Sequence, residues 1–517
     1  FRPTKLISRG EVNQQLIDTM MLNVRMPEQN RGDLQAQIAA VNTGEAKVHE
    51  MIRKFGVETV RNGIEDLLDM GEIRARAVIS DLPDGQFHFV DYLDEDGPNG
   101  VPVRLEVTLS IEGDGLTLDF TGSDPQLKSA LNMPTGGNPR HILLMVGYNY
   151  CLYTLDPSIP LNGGILRAAT CIVPEGTVLN PQYPAAVGMR SLTCGRLQGV
   201  IMGAFHAAAP DRLPVGAAGG GGIVNVRSGK LSMASIDPVT GGAGGSALGD
   251  GTDGSGANSS FLKNTPVEIN EVEVPIKFRR YGLVPDSGGA GIARGGMSTV
   301  LEVEVFTPDT VITARNRDRS IFAAWGGQGG HPGAPSHFTK ISPDGTHHNL
   351  GNTDVVPLGP GDVFNLTSGG GAGWGDPYAR PEELVVRDVL RGAVTPAAAR
   401  EHYGVVFDAE GRLDPAATKA RRTAHLPAPS ETYSYNENRR AFEAVWTNAN
   451  YKALTQALSG MPVHWRHFVK RSVFDHVAAL EAVDRRGDGS EVWAAVAAVK
   501  DRVPGLARAM TLPEAAE

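Results

Sequence analysis

Apolar positions follow a helical period near the start of the chain and a period of two farther along. Over 11–56 they recur three or four residues apart, and Gly56 stands where a helix commonly ends, so the pattern predicts helical structure there. Over 101–111 apolar residues alternate with mostly polar ones. A Gly-Asp-Gly sequence follows at 113–115, and the alternation resumes over 116–120. This second pattern predicts a β-hairpin.

The centre of the chain is β-rich and its end is helical. The region 216–375 is punctuated by glycine and carries short alternating runs such as 301–305. A compact apolar run at 196–209 predicts a short buried helix just before this region. After it, 382–400 has helical spacing, with Thr395-Pro396 as a typical helix start.

Two further amphipathic helices are predicted at 436–458 and 463–480. We therefore predict an α+β fold with several parts. A helical and mixed remainder of an N-terminal domain occupies 1–100, an α+β body occupies 101–425, and a helical C-terminal extension occupies 426–517. Because the chain opens at Phe1 in the middle of a pattern, we expect the first part to continue upstream.

Three glycine blocks are attached to fixed polar residues. They are GGAGGSALGDGTDGSG at 241–256, DSGGAGIARGG at 286–296 and SGGGAGWGDP at 368–377. Glycine allows φ > 0 and lets the main chain approach a ligand or another strand closely. A flexible linker would consist mainly of Gly and Ser, so these blocks predict tightly built turns in a large folded enzyme subunit.

Composition narrows the class of protein. The chain has 517 residues, enough for two or three domains, and a net charge of −10 with acidic and basic residues interspersed. Without a basic stripe, nucleic acid is not expected as a main partner, and no apolar stretch reaches the ~18 residues of a membrane span. The three cysteines have no CxxC spacing, which favours a reducing cytoplasm and no disulfide framework.

The candidate catalytic residues are five charged side chains near the glycine blocks. On a strand at PVEINEVEVP, Glu268 would face one side and Glu271 the other, where either could do acid–base work or reach a metal. Asp286 and Arg294 flank the turns of the second block, and an arginine fork with turn amides suits an anion. Arg190 precedes the apolar run at 196–209. Each of these residues has a structural alternative. Glu268 and Glu271 could lie on a solvated strand, Asp286 and Arg294 could pair with each other, and Arg190 could form a structural ion pair.

Metal and nucleophile patterns are weak. DGTDGSGAN offers oxygen ligands at Asp250, Asp253 and Asn258 but does not follow the EF-hand order. His464 and His467 are three residues apart on a predicted helix, although Trp465 and Phe468 beside them favour a packing face. No HExxH sequence is present. We expect structural roles for a further three residues: a core position for His206, a buried apolar one for Cys194 and a turn cap for Asp376.

Four segments together resemble the hydantoinase B/oxoprolinase family. They are NVRMPEQNRGDLQAQIAA at 23–40, NTPVEINEVEVPI at 264–276, DSGGAGIARGG and GDVFNLTSGGGAGWGDP at 361–377, followed by RPEELVVRDVLRGAVT and YGVVFD in the same order. The agreement extends from about residue 1 to 415. The family contains B-type subunits of ATP-dependent hydantoinases and lactamases, the C-terminal half of 5-oxoprolinase, and subunits of acetone- and acetophenone-type carboxylases.

The resemblance implies a division of labour between two chains. A hydantoinase A-type partner would bind ATP with Mg and phosphorylate the substrate, in agreement with the lack of a GxxxxGK[ST] sequence here. A small third subunit is a further expected partner. The resemblance also implies a divalent metal, Mn or Zn, held by an N-terminal region that these 517 residues do not contain.

Three functions follow from the resemblance. We favour a carboxylase that adds bicarbonate-derived CO2 to a ketone enolate, because a C-terminal extension is typical of the carboxylase branch. The second is an ATP-dependent cyclic amidase acting on a hydantoin, 5-oxoproline or lactam. The third is a non-catalytic scaffold that has kept the fold.

Overall fold

The computed structural model describes residues 2–24, 26–97, 100–219, 222–228, 233–255, 264–315, 318–351, 353–426 and 431–509. They form an α+β fold, as predicted. The chain separates into two compact units, 1–71 and 72–517. The domain boundaries near 100 and 425 stay predictions.

The first unit is largely helical. Its elements are β1 (Ile7–Ser8), β2 (Glu11–Val12), α1 (Gln14–Leu22), α2 (Pro27–Phe55) and the beginning of α3 (Val57–Ser80). Asn13 caps α1 by accepting a hydrogen bond from the amide of Leu16 at 3.1 Å. The predicted apolar stripe does lie on a helix, but α2 buries none of its residues within the described chain.

The first sheet of the second unit contains the predicted hairpin. Its order is β3-β4-β5-β6, with β6 parallel to β5 and the other neighbours antiparallel. Helix α5 packs on β3 and β4, and it lies so close that a Cβ on Gly203 would stand 2.4 Å from the ring of Phe89. The elements are β3 (Gly85–Leu93), β4 (Val103–Glu112), β5 (Gly115–Asp119), α4 (Ile142–Leu155), β6 (Ala169–Ile172) and α5 (Arg190–Ala208).

Two further sheets form the β-rich body. Their orders are β13-β12-β15-β10-β9 and β14-β11-β7-β8, and the two share one apolar core. Alternation at Leu301, Val303 and Val305 points those side chains into this core. The strands are β7 (Gly222–Ser228), β8 (Met233–Val239), β9 (Ile276–Val284), β10 (Ser298–Val305), β11 (Thr310–Arg315), β12 (His337–Ile341), β13 (His347–Asn349), β14 (Val355–Leu358) and β15 (Val363–Thr367).

The glycine blocks are not tight turns. Segments 241–251, 286–297, 326–334 and 368–375 are mostly irregular extended chain, and we call them together the glycine core. They cross with their backbones in contact: Gly289 donates to the carbonyl of Gly371 at 2.8 Å, and Gly371 to that of Gly296 at 3.0 Å. A Cβ on Gly371 would stand 1.8 Å from the carbonyl oxygen of Ala243. Close approach of main chains therefore requires glycine at most of these positions, while Gly329 and Gly375 also have φ of +91° and +75°.

Helices follow the glycine core to the end of the described chain. Thr395 caps α8 and Pro396 occupies its first turn, as predicted. The predicted helix at 436–458 is two helices, because Trp446 leaves helical geometry and Thr447 caps the second one. The helices are α7 (Glu382–Leu390), α8 (Pro396–Tyr403), α9 (Pro415–Thr423), α10 (Glu437–Val445), α11 (Asn448–Ser459), α12 (Val463–Ala479), α13 (Ser490–Arg502) and α14 (Pro504–Ala509), and α6 (Val267–Glu273) precedes β9.

Buried ion pairs join the C-terminal helices to the first sheet. Arg439 of α10 contacts Asp91 of β3 at 3.2 Å, and Lys470 of α12 contacts Asp124 at 2.7 Å. All four side chains are almost fully buried. Trp446 and apolar residues from α11–α14 form one cluster with Tyr92 and Phe322. The extension is thus part of the second unit.

Within the described residues, no helix is both long and apolar enough to cross a membrane.

Candidate active site

A cavity of about 430 Å³ lies where three segments of the second unit meet. The glycine core supplies one wall through Asp286–Ala290 and His331–Ala334, helix α8 supplies His402 and Tyr403, and the extension supplies Ser434, Tyr435 and Arg440. A volume of this size suits a small organic molecule. The cavity combines a main-chain wall with two imidazoles and one guanidinium.

The glycine wall is held by hydrogen bonds between its own segments. His331 donates its amide to Ala290 at 2.7 Å, and Gly373 donates to the carbonyl of His331 at 2.9 Å. In the described chain, the amides of Gly288 and Ala290 donate no hydrogen bond to the protein. Free amides in such a wall can bind an anion.

His331 and His402 form the imidazole pair of the cavity. Their rings meet edge to face with centroids 5.5 Å apart. The His331 ring is open to the cavity solvent but crowded by protein atoms. Desolvation by these atoms, helped by the nearby His402, lowers the pKa of His331, while Asp376 opposes the shift. The shift favours the neutral imidazole, which has a nitrogen lone pair that can accept a proton.

Arg440 is the cation of the cavity lining. Its side chain is exposed and makes no ion pair or hydrogen bond with any described residue. Its neighbour on α10, Arg439, is by contrast buried against Asp91. A free guanidinium has two parallel N–H groups that match a carboxylate or a phosphate.

Ion pairs between buried arginines and aspartates brace the segments of the glycine wall. Arg294 contacts Asp253 at 2.8 Å, and Arg380 contacts Asp250 at 2.6 Å and Asp388 at 2.7 Å. Asp250 also accepts a hydrogen bond from the amide of Arg294 at 2.9 Å. The carboxylates of these aspartates pair with arginines. This explains why Asp250 and Asp253 do not form the cation-binding loop that the sequence suggested.

The structure brings one of the five predicted catalytic residues to the cavity lining. This is Asp286, whose carboxylate accepts a hydrogen bond from the amide of Thr395 at 2.7 Å and whose φ is +61°. Arg294 lies in the bracing network and pairs with Asp253 rather than Asp286. Arg190 is exposed at the beginning of α5 and donates to the carbonyl of Val187 at 3.1 Å. Their catalytic roles stay predictions.

The predicted strand containing Glu268 and Glu271 is wrong. The segment is the short helix α6, and both carboxylates are exposed, away from the cavity lining. Glu271 accepts a hydrogen bond from the amide of Phe278 at 2.7 Å, so it ties α6 to β9. A seven-residue segment with apolar residues at both two- and three-residue spacing fits either period. Any catalytic role of Glu268 or Glu271 stays a prediction.

Comparison with known proteins agrees with this architecture. The family model of Hydantoinase B/oxoprolinase matches residues 1–377, well over half of the chain. The chain belongs to the hydantoinase B/oxoprolinase family.

Two bacterial relatives of the family are similar in sequence. A candidate B-type chain of a D-/L-hydantoinase from Pseudomonas sp. (strain NS671) is 30% identical over 80% of this chain and 71% of the relative. The beta chain of caprolactamase from Pseudomonas jessenii is 31% identical over 82% of this chain and 74% of the relative.

Two solved structures of ATP-dependent enzymes have similar folds. The ATP-dependent caprolactamase from Pseudomonas jessenii superposes with a TM-score of 0.70 at 29% identity, covering 82% of this chain and 74% of that one. A nucleotide-free acetone carboxylase superposes with a TM-score of 0.70 at 17% identity, covering 99% of this chain and 71% of that one. At this identity the second likeness concerns the fold alone.

Sequence reasoning missed His331, His402 and Arg440 of this family member. They stand far apart in the chain and come together only through the fold. One signal was available: His331 follows GGQGG at 326–330, a glycine run not counted among the three blocks. The other two residues had no local pattern to mark them.

Several structural expectations are confirmed. Asp376 caps its turn by accepting from the amide of Tyr378 at 2.9 Å, and His206 is a core residue whose pKa is lowered to about 4 by burial. The buried position expected for Cys194 is met only in part, because this free cysteine packs against the core but is only partly buried.

His467 and Asn258 belong to the weak metal-ligand patterns in the sequence. The imidazole of His467 contacts the carboxylate of Asp96 at 3.0 Å. Asn258 lies outside the described residues.

No metal site is formed by the described part of the chain. Groups of three or more His, Cys, Asp or Glu side chains placed to hold an ion are absent from it. A second cavity of about 140 Å³ is acidic, with Asp94 and Asp318 in its lining. Burial, together with Asp318, raises the pKa of Asp94 to about 6.

Proposed function

We propose that this chain is the B-type catalytic subunit of an ATP-dependent ketone carboxylase and that the 430 Å³ cavity is its active site. The family relation supports an ATP-dependent enzyme subunit. One structural observation favours carboxylation over hydrolysis of a cyclic amide. The extension that supplies Ser434, Tyr435 and Arg440 to the cavity has a counterpart in the fold of acetone carboxylase.

The coverage of the two superpositions supports this choice. An alignment that covers 99% of the chain has to include nearly all of α10–α14, whereas the caprolactamase alignment covers 82%. The extension also places a free arginine in the cavity. Carboxylation needs an anionic co-substrate, bicarbonate, and a guanidinium suits its planar oxygens.

The proposed reaction couples two phosphoryl transfers to one new carbon–carbon bond. On an A-type partner, ATP phosphorylates the oxygen of the ketone's enol and an oxygen of bicarbonate, and two ADP leave. Carboxyphosphate splits into CO2 and phosphate. Water takes the phosphoryl group from the enol phosphate, and the released enolate carbon attacks CO2 to give a 3-oxo acid. Bulk water would compete for CO2 and for the enolate, so access of water beyond the one attacking molecule has to be restricted during the reaction.

ATP, its metal ion and a further subunit belong to the partners of this chain. ATP and Mg belong to the A-type partner, and a small third subunit completes the complex. A further Mn or Zn ion would be held by residues that these 517 do not include. Three free cysteines, Cys151, Cys171 and Cys194, support placing the complex in the cytoplasm.

A cyclic amidase is the second candidate, favoured by the sequence relatives. The caprolactamase and hydantoinase chains are 31% and 30% identical to this one. In this reaction water would attack the carbon of a phosphorylated imidate, and the ring would open on loss of phosphate. The same cavity would then receive water and one anionic intermediate, without bicarbonate.

The test supplies the chain and its A-type partner with ATP, labelled bicarbonate, and a panel of ketones and cyclic amides. Acid-stable label in a 3-oxo acid, dependent on ATP, is the expected result. Ring opening without retained label would replace the proposal by the amidase. Neither product, from a partner that hydrolyses ATP, would leave a scaffold role.

Matched variants locate the chemistry. Arg440→Gln removes the cavity cation, whereas Arg486→Gln removes an exposed arginine elsewhere in the extension. Loss of product in the first variant and not in the second is expected. Equal activity of both would place the active site outside this cavity.

A further inference from the structure

We propose that Arg440 binds an oxyanion in the cavity and that His331 is the general base that takes a proton from the attacking water. The inference rests on the proposed function only for the source of the anion. Phosphorylated intermediates occur in both the carboxylase and the amidase, and both require attack by water. The anion site and the base can therefore be tested separately from the overall reaction.

Arg440 is suited to bind an external anion because no described side chain neutralises its positive charge. Arg294, Arg380 and Arg439 all pair with aspartates, whereas Arg440 pairs with no described side chain. Asp286, a carboxylate of the same lining, already accepts a hydrogen bond from the amide of Thr395 at 2.7 Å. An anion at Arg440 could also accept hydrogen bonds from the free amides of the glycine wall.

His331 is suited to a base because both ring nitrogens are available. The ring makes no hydrogen bond to the described chain, and it lies in the same lining as Arg440. The charged and titratable groups around it are His402 and Tyr403 of α8, Asp286 of the same wall, Asp376 and Arg440. Of these, His402 lies in edge-to-face contact and favours the neutral form of His331.

Attack by water on the enol phosphate transfers one proton to His331 and releases phosphate. The oxygen of water forms a bond to phosphorus of the enol phosphate while its proton moves to an imidazole nitrogen of His331. The bond between phosphorus and the enol oxygen breaks, and its electron pair leaves with the enolate. Phosphate remains at Arg440 until it dissociates, and His331 returns the proton to solvent.

The first experiment measures anion binding without any turnover. The full chain is treated with diethyl pyrocarbonate, which modifies neutral imidazole, and mass spectrometry quantifies His331 and the exposed His347 in the same sample. With inorganic phosphate as the probe at about ten times its Kd, modification of His331 should slow roughly tenfold, because only the free cavity reacts. His347 serves as the internal reference and should keep its rate.

Substitutions test whether Arg440 holds the phosphate that protects His331 from modification. Arg440→Gln should abolish the protection of His331, Arg440→Lys should keep part of it, and Arg486→Gln should leave it intact. Equal protection in Arg440→Gln, or none in the unmodified chain at any phosphate concentration, would overturn the anion site. Protection in a chain that forms no carboxylated product would reject the proposed function and leave this site standing.

The second experiment tests the base. His331→Gln should lower kcat by about 10²–10⁴-fold and remove the acidic limb of the pH profile of kcat/KM, since the base titrates there. His347→Gln should change neither quantity. An acidic limb that survives in His331→Gln would overturn the role of His331. Should that variant fail to fold, the pH profile of His331 modification in the unsubstituted chain decides: a midpoint at or above the usual imidazole pKa of 6.5 contradicts the proposal.

Discussion

Asp91 and Arg439 stand 348 positions apart in the chain, yet their side chains form a buried ion pair at 3.2 Å. Asp91 also contacts Arg196 and Arg319, each at 3.0 Å. Burial alone would raise the pKa of Asp91, but the three arginines outweigh it and lower the pKa below its usual value. One carboxylate thus links β3, α5, the chain after β11 and the extension.

Removing this carboxylate should destabilise the second unit strongly. Asp91→Asn leaves three buried guanidinium groups without their shared partner, which costs about 3–5 kcal/mol of unfolding free energy. Denaturant unfolding monitored by tryptophan fluorescence measures the change. Glu50→Gln, which breaks an exposed pair with Lys47 on α2, should change stability by less than about 0.5 kcal/mol. Similar values for both variants would contradict a stabilising role of the buried cluster.

Lys470 and Asp124 should show strong coupling. Their atoms are 2.7 Å apart and both side chains are almost fully buried. Lys470→Met should cost about 3–5 kcal/mol, because it leaves a buried carboxylate without its cation. The double variant Lys470→Met, Asp124→Asn should cost less than the sum of the two single changes by about 1–3 kcal/mol. Additive costs, obtained from urea unfolding, would show that the pair does not hold α12 in place.

A single methyl group should disrupt the glycine core. In Gly371→Ala the new Cβ would meet the carbonyl oxygen of Ala243, which is backbone and cannot move aside alone. Overpacking of this kind costs typically about 1–3 kcal/mol and sometimes more. Gly282→Ala on β9 provides the control, since no atom lies within 4 Å of its added Cβ. Thermal unfolding should separate the two variants, and equal midpoints would be inconsistent with the backbone packing described.

His206 should make stability depend on pH. Burial lowers its pKa in the folded protein to about 4, from the usual value of 6.5. Between these values the unfolded chain binds a proton at this residue and the folded chain does not, so stability falls as pH falls. The loss by pH 4 is on the order of 3 kcal/mol. His206→Gln should flatten the difference in urea unfolding between about pH 7 and pH 4.5, whereas His347→Gln should keep the original slope.

The parts of the fold that could be predicted from the sequence were those with a long, regular pattern. The hairpin of β4 and β5 has a run of alternating positions and a glycine turn, and helix α8 has a cap and a proline at its start. Helix α6 is too short for its period to be unambiguous, so the sequence pattern wrongly predicts a strand for Glu268.

The site was less accessible to sequence reasoning. Asp286 could be found because it belongs to a glycine block, but the partner of Arg294 could not, since Asp253 and Asp388 are as plausible in sequence as Asp286. His331, His402 and Arg440 meet only when the glycine core, α8 and α10 are assembled. Long-range packing decides such contacts, and no local propensity encodes them.

One wall of the cavity consists largely of peptide groups, because the glycine core leaves no room for side chains there. Peptide groups are chemically the same whatever the substrate. Selectivity among substrates must then reside in the opposite walls, in α8 and in the extension. The main-chain wall can stay the same while the side chains of the opposite walls change. Different reactions can therefore be carried out by one fold without any change in its glycine core.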